Sequence, residues 1–103
     1  MSKHTPGPWR SGKWGASIIA NTPVKGGING SDAVESYGGH LIAESISECN
    51  MSLIIAAPDL LAAAIKVLNG LNERIDSATE NRTATPVFDG IADLHDAINK
   101  ATA

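Results

Sequence analysis

An α+β fold, a small antiparallel β-sheet of about three strands followed by two to three α-helices, is predicted by three observations. Short β-rich segments punctuated by glycine and proline fill the first 48 residues, and from residue 49 onward apolar residues recur at helical spacing. The length, 103 residues and 10.7 kDa, confines both parts to one domain, because two separate cores would each be too small to bury most of their surface. The 22 Val, Ile and Leu residues outnumber the four aromatics, so the expected core is aliphatic.

The chain opens with His4-Thr5-Pro6-Gly7-Pro8-Trp9, where two prolines remove amide donors and favour extended backbone, so a rigid lead-in anchored by Trp9 is expected. Two strands follow, over residues 9–14 and 15–24, turning near Gly12 or Gly15. Residues 25–39 hold five glycines with Asn29, Ser31 and Asp32, which reads as a long surface loop. Residues 39–46 return to the strand pattern. Asn50 is a suitable cap for a helix beginning at Met51, and Pro58 is expected to break or kink it. A second helix carries Leu61, Ile65, Leu68, Leu71 and Ile75 along one face, ending at Gly70 or continuing to about Ala78. After a polar stretch, Val87, Phe88, Ile91, Leu94 and Ile98 repeat at helical spacing and predict a terminal amphipathic helix.

Composition removes several classes of function. A lone Cys49 makes no internal disulfide and no cysteine-rich zinc site, which fits a reducing compartment; a small buried thiol is its ordinary role. No apolar run approaches the roughly 20 residues of a membrane span, and no signal-peptide pattern opens the chain. A soluble protein with no membrane partner is the expectation. The net charge of −3 argues against coating long nucleic acid. That charge is unevenly spread: the first 25 residues carry four cations and no acid, while the remainder is formally −7. Trp9, Trp14 and Tyr37 also lie in the first 37 residues.

Three segments carry a resemblance. His4 to Trp9 (HTPGPW), Gly39 to Glu44 (GHLIAE) and Asn50 to Leu61 (NMSLIIAAPDLL) resemble small phage and prophage proteins that open with HTPGPW and continue into an N-x-x-L-I-A-A-A-P-[ED]-L-L helix. The resemblance covers about the first 65 residues, with Ile55 where an alanine is usual. It implies a phage protein acting in the cytoplasm of the infected host. By analogy of size and setting, it also points to the phage sponges that capture nucleotide immune signals of Thoeris and CBASS defence.

The residues themselves supply chemistry compatible with that analogy. An adenine needs a flat apolar surface and a pyrophosphate needs cations or backbone amides, and Trp9-Arg10 and Lys13-Trp14 offer both. On a single strand over 9–14, Trp9 and Lys13 would share one face while Arg10 and Trp14 shared the other. Core capping is the alternative for both rings, more so for Trp9. Tyr37 and His40 flank the Gly38-Gly39 pair, so the loop tip could place a ring and an imidazole over a ligand, as a lid would; an ordinary loop with His40 exposed at a strand start is the alternative. The expected ligand-binding set is therefore Trp9, Arg10, Lys13, Trp14, Tyr37 and His40.

No Walker or Rossmann spacing, metal-ligand pattern or nucleophile beside a base is present, so neither cofactor, metal nor catalysis is expected. The function this supports is sequestration of a nucleotide-derived immune signal, whether cyclic ADP-ribose-like, His-ADP-ribose or a cyclic oligonucleotide. A homodimer or higher homo-oligomer would cover the remaining apolar helix surface. The alternatives are a protein-binding inhibitor of a bacterial defence enzyme, using Asp89, Asp93 and Asp96 as an acidic face, and a structural or regulatory phage accessory protein.

Overall fold

The computed structural model describes residues 3–81 and 89–103, and among these described residues three short strands and three helices form an α+β arrangement. In chain order these are β1 (Trp9–Ser11), β2 (Ile18–Ala20), α1 (Ser31–Tyr37), β3 (His40–Ala43), α2 (Glu48–Glu80) and α3 (Ile91–Ala101). They fall into two compact units: His4–Leu60 holds the sheet, and the second is helical and begins at Leu61.

The strand order β1-β2-β3 is antiparallel throughout and puts β2 in the centre. Ile18, Ile19 and Ala20 are completely buried there, as expected for apolar residues of a central strand paired on both edges, two of them β-branched. Trp9 pairs with Ala20, which pairs with His40; Arg10 pairs with Ile19, which pairs with Leu41. Directly paired residues share a sheet face, so Trp9 and His40 lie on one side and Arg10 on the other. A register shift between Ile18 and Ile19 lets Ile18 pair with Ala43.

The hairpin from Gly12 to Ser17 is held by the Gly12 amide donating to the Ser17 carbonyl at 2.9 Å. Gly15 and Ala16 both take positive φ, 61° and 42°, and the Ala16 carbonyl accepts from the Ile46 amide at 2.9 Å, tying the turn to the segment before α2. Ser17 is 3% exposed and its Oγ has no hydrogen-bond partner. A buried, unpaired hydroxyl destabilises. Ser17→Ala is therefore expected to raise stability by about 1 kcal/mol in urea denaturation; a loss of stability would show that the hydroxyl is satisfied in solution.

Three sequence expectations are corrected. The stretch read as a loop over 25–39 contains α1, which starts after Gly30 in extended conformation and stops at Gly38, a left-handed C-cap with φ 85° whose amide donates to the Val34 carbonyl. Asp32 in its first turn complements the helix dipole. Second, α2 begins at Glu48, so Asn50 is inside the helix rather than its cap. Third, α2 runs uninterrupted through Pro58 to Glu80. Pro58 is buried, and a Cβ built on Gly7 would lie 3.0 Å from its Cβ, so the proline ring packs on the lead-in segment. Good helix formers on both sides carry the helix past one missing amide. The HTPGPW and NMSLIIAAPDLL segments thus meet at Gly7 and Pro58.

Continuity changes the hydropathy reading as well. With no break at Pro58, α2 contains an 18-residue stretch of mean hydropathy 1.9, of which 17% is buried, so by length and composition it is long and apolar enough to cross a membrane. The expected face of Leu61, Ile65, Leu68, Leu71 and Ile75 is the protected one, with Leu68 8% exposed and the others half-buried. In α3 the half-buried residues are Ile91, Leu94 and Ile98, as their spacing predicts. The predicted start of that helix at Val87 and Phe88 lies outside the described residues.

Candidate functional site

A seven-residue helix leaves its last carbonyls without intrahelical partners, and α1 has no basic residue in its last turn. The β1–β2 hairpin supplies the missing donors. Trp14 Nε1 donates to the Ser36 carbonyl at 2.6 Å, the Lys13 amide to the Tyr37 carbonyl at 2.9 Å, and an Arg10 guanidinium nitrogen to the Gly38 carbonyl at 3.1 Å. Three consecutive carbonyls, 36 to 38, thereby collect Trp14, Lys13 and Arg10 at one corner. Arg10 is also anchored to Asn21 Oδ1 at 3.0 Å. The guanidinium and the turn's indole complement the negative end of the α1 dipole.

Trp14 is fixed without being covered. Its indole is 72% exposed although its N–H is engaged, which gives a flat apolar surface of set orientation with Arg10 and Lys13, both exposed, beside it. The one-strand geometry is corrected here: β1 ends at Ser11, so Lys13 and Trp14 belong to the turn and are oriented by α1 rather than by strand alternation.

The other expected residues have separate surroundings. Trp9 is half-buried, donates from Nε1 to the Thr5 carbonyl at 3.1 Å, and meets His4 edge-on with ring centroids 6.1 Å apart. It ties down the lead-in segment. His40 Nδ1 lies 3.0 Å from Asn29 Oδ1, and Asn29 also accepts from the Val24 amide and donates to the Val24 carbonyl, so His40 braces the 24–29 turn. Tyr37 Oη donates to Glu44 Oε2 at 2.7 Å. The lid reading of Gly38 and Gly39 is corrected too: Gly38 caps α1, and Gly39 is buried where a Cβ would lie 2.8 Å from Ile19 Cδ1.

The Tyr37 contact has a pH consequence. The hydrogen bond to Glu44 and the carboxylate's charge, with a smaller contribution from burial, raise the phenol above its ordinary 10.0. Stability from this pair is fully present below pH 10.0, and it is lost as pH rises through the higher folded value. Spectrophotometric titration is expected to place the single tyrosine's midpoint above 10.0, with Glu44→Gln bringing it down. An unchanged midpoint in that variant would sink the assignment.

All 103 residues of the chain match the family described as Salmonella phage P22 protein Y8K6. The chain belongs to this family. It is a phage protein. No curated protein and no solved structure matches it, so the reading of this phage protein's site rests on its own residues.

Two features escaped the sequence reading. Ser36 and Gly38 act through their carbonyls, which leave no side-chain signature, although Gly38 after Ser31-Asp32-Ala33-Val34-Glu35 is a helix-stop signal. An open cavity of about 630 Å³ lies between Ser11, Gly15 and Ala16 of the hairpin and Glu48, Met51 and Ser52 in the first turns of α2. None of the expected ligand-binding residues lines it. Cys49, expected to be buried, is exposed at the start of α2. Among the described residues no group of three or more His, Cys, Asp or Glu is placed to hold a metal ion.

Proposed function

We propose that this phage protein binds, without catalysis, a nucleotide-derived immune signal at the Arg10–Lys13–Trp14 corner, acting in the cytoplasm of the infected host. The observation that carries the reading is Trp14, held at Nε1 by the Ser36 carbonyl while 72% of its surface stays exposed. A base stacks on such a platform with little ordering cost, because the ring is already oriented. Lys13 and Arg10 bring positive charge to the same corner for a phosphate or pyrophosphate. The ligand class is cyclic ADP-ribose-like, His-ADP-ribose or a cyclic oligonucleotide. Trp9, Tyr37 and His40 are engaged away from this corner, with the Thr5 carbonyl, the Glu44 carboxylate and the Asn29 side chain respectively.

Titration calorimetry of the purified protein against each of the three ligand types tests this. Stoichiometric binding at micromolar or tighter affinity to at least one is expected, and no heat with any of them rejects the reading. Capture of a defence enzyme instead, abolished by charge reversal at the exposed Asp89, Asp93 and Asp96 but not by changes at Trp14, would assign the protein as a protein-binding inhibitor.

A further inference from the structure

Three large aliphatic side chains of α2 stand in water: Leu53, Leu60 and Val67, at 67%, 54% and 54% exposure. Each follows the last by seven residues, so they form one stripe along the helix. Three positions beyond each lie Ala56, Ala63 and Gly70, and nothing comes within 4 Å of where a Cβ on Gly70 would sit. Large and small residues therefore alternate along this face, as at the a and d positions of a heptad.

We infer that this stripe is a self-association seam on which a second copy of the chain packs its α2 antiparallel. The register that sets Leu60 over Ala63 of the second copy also sets Leu53 over its Gly70 and Val67 over its Ala56. One sequence thus supplies a knob and a facing recess at every layer. The charges select the direction. Asp59 and Lys66, both exposed, flank the small-residue side of the stripe at equivalent heptad positions. Helical side chains lean toward their own N-terminus, so in the antiparallel register Asp59 reaches Lys66 of the second copy and Lys66 reaches its Asp59. Parallel pairing would set Asp59 against Ala64 and Lys66 against Leu71, and both ion pairs would be lost. The antiparallel contact is two-fold and closes at a dimer.

A bilayer is the competing occupant for a helix of this hydropathy. The second copy is favoured because the stripe is one-sided, and because Asp59 and Lys66 are both costly in hydrocarbon yet complementary to each other across a two-fold axis.

Sedimentation velocity on the full chain tests the seam, and its outcome does not depend on ligand binding at the hairpin corner. The wild type is expected to dimerise below about 100 μM, and Leu60→Lys to raise the dissociation constant about 100-fold with unchanged far-UV circular dichroism. Asp59→Lys and Lys66→Asp each place like charges together twice and are expected to weaken the dimer about 10-fold, while the double swap returns it to within about threefold of wild type. A monomer throughout the range overturns the proposal. Failure of the double swap to recover overturns the antiparallel register. The wild type is expected to stay unbound in flotation with phosphatidylethanolamine–phosphatidylglycerol vesicles; co-flotation assigns the stripe to a bilayer and overturns the seam.

Discussion

Ile19→Ala is expected to destabilise the sheet unit by about 2 to 5 kcal/mol, the cost of emptying a buried aliphatic site that closes incompletely. Ile19 is 0% exposed at the centre of β2. Its Cδ1 is the atom nearest the space a side chain at Gly39 would fill, so it packs on the backbone between α1 and β3. Domains are stable by only about 0.05 to 0.15 kcal/mol per residue. A unit running from His4 to Leu60 therefore loses most of its margin with this one side chain. Ile28→Ala is the control, since Ile28 is 52% exposed and surface changes stay within about 0.5 kcal/mol. Both tryptophans of the chain lie in this unit, so urea denaturation followed by their fluorescence reports on it directly. Equal midpoints for the two variants would show that β2 is not the core of the unit.

The same strand shows what the sequence made legible. Ser17-Ile18-Ile19-Ala20 reads as a strand because β-branched residues follow a glycine turn, and the apolar spacings 61, 65, 68, 71, 75 and 91, 94, 98 name the protected helix faces. What sequence reasoning missed depended on tertiary contact. Pro58 reads as a break because its local cost is visible, whereas its packing on Gly7, fifty-one positions earlier, is not. Helix α1 was concealed by glycines on both sides; here they are its boundaries, Gly30 extended before it and Gly38 left-handed after it. At the candidate site, residue types point to Trp9, Arg10, Lys13, Trp14, Tyr37 and His40 alike, and the structure brings Arg10, Lys13 and Trp14 to one corner. Their convergence was not legible, because main-chain carbonyls of residues 36 to 38 draw them together, and every residue has a carbonyl.

Trp14→Ala is expected to weaken binding of the nucleotide-derived ligand by about 10- to 100-fold, the loss of one base-stacking surface worth roughly 1 to 3 kcal/mol. The substitution also removes the donor to Ser36, so lost stacking must be separated from a loosened corner. Trp14→Phe does this: it keeps an apolar stacking ring, smaller than the indole, and deletes the Nε1–H to carbonyl bond. Binding close to wild type in the Phe variant, with loss in the Ala variant, assigns the effect to stacking; equal loss in both assigns it to the hydrogen bond that sets the ring. Lys13→Ala is the cleaner charge probe of the two cations. Lys13 holds α1 through its backbone amide, which alanine retains, whereas Arg10→Ala also removes the guanidinium that bonds Gly38 and Asn21. A phosphate-bearing ligand should therefore bind Lys13→Ala several-fold more weakly at low salt, with the difference shrinking as salt rises. Wild-type affinity in both Trp14→Ala and Lys13→Ala would remove the hairpin corner from the binding site.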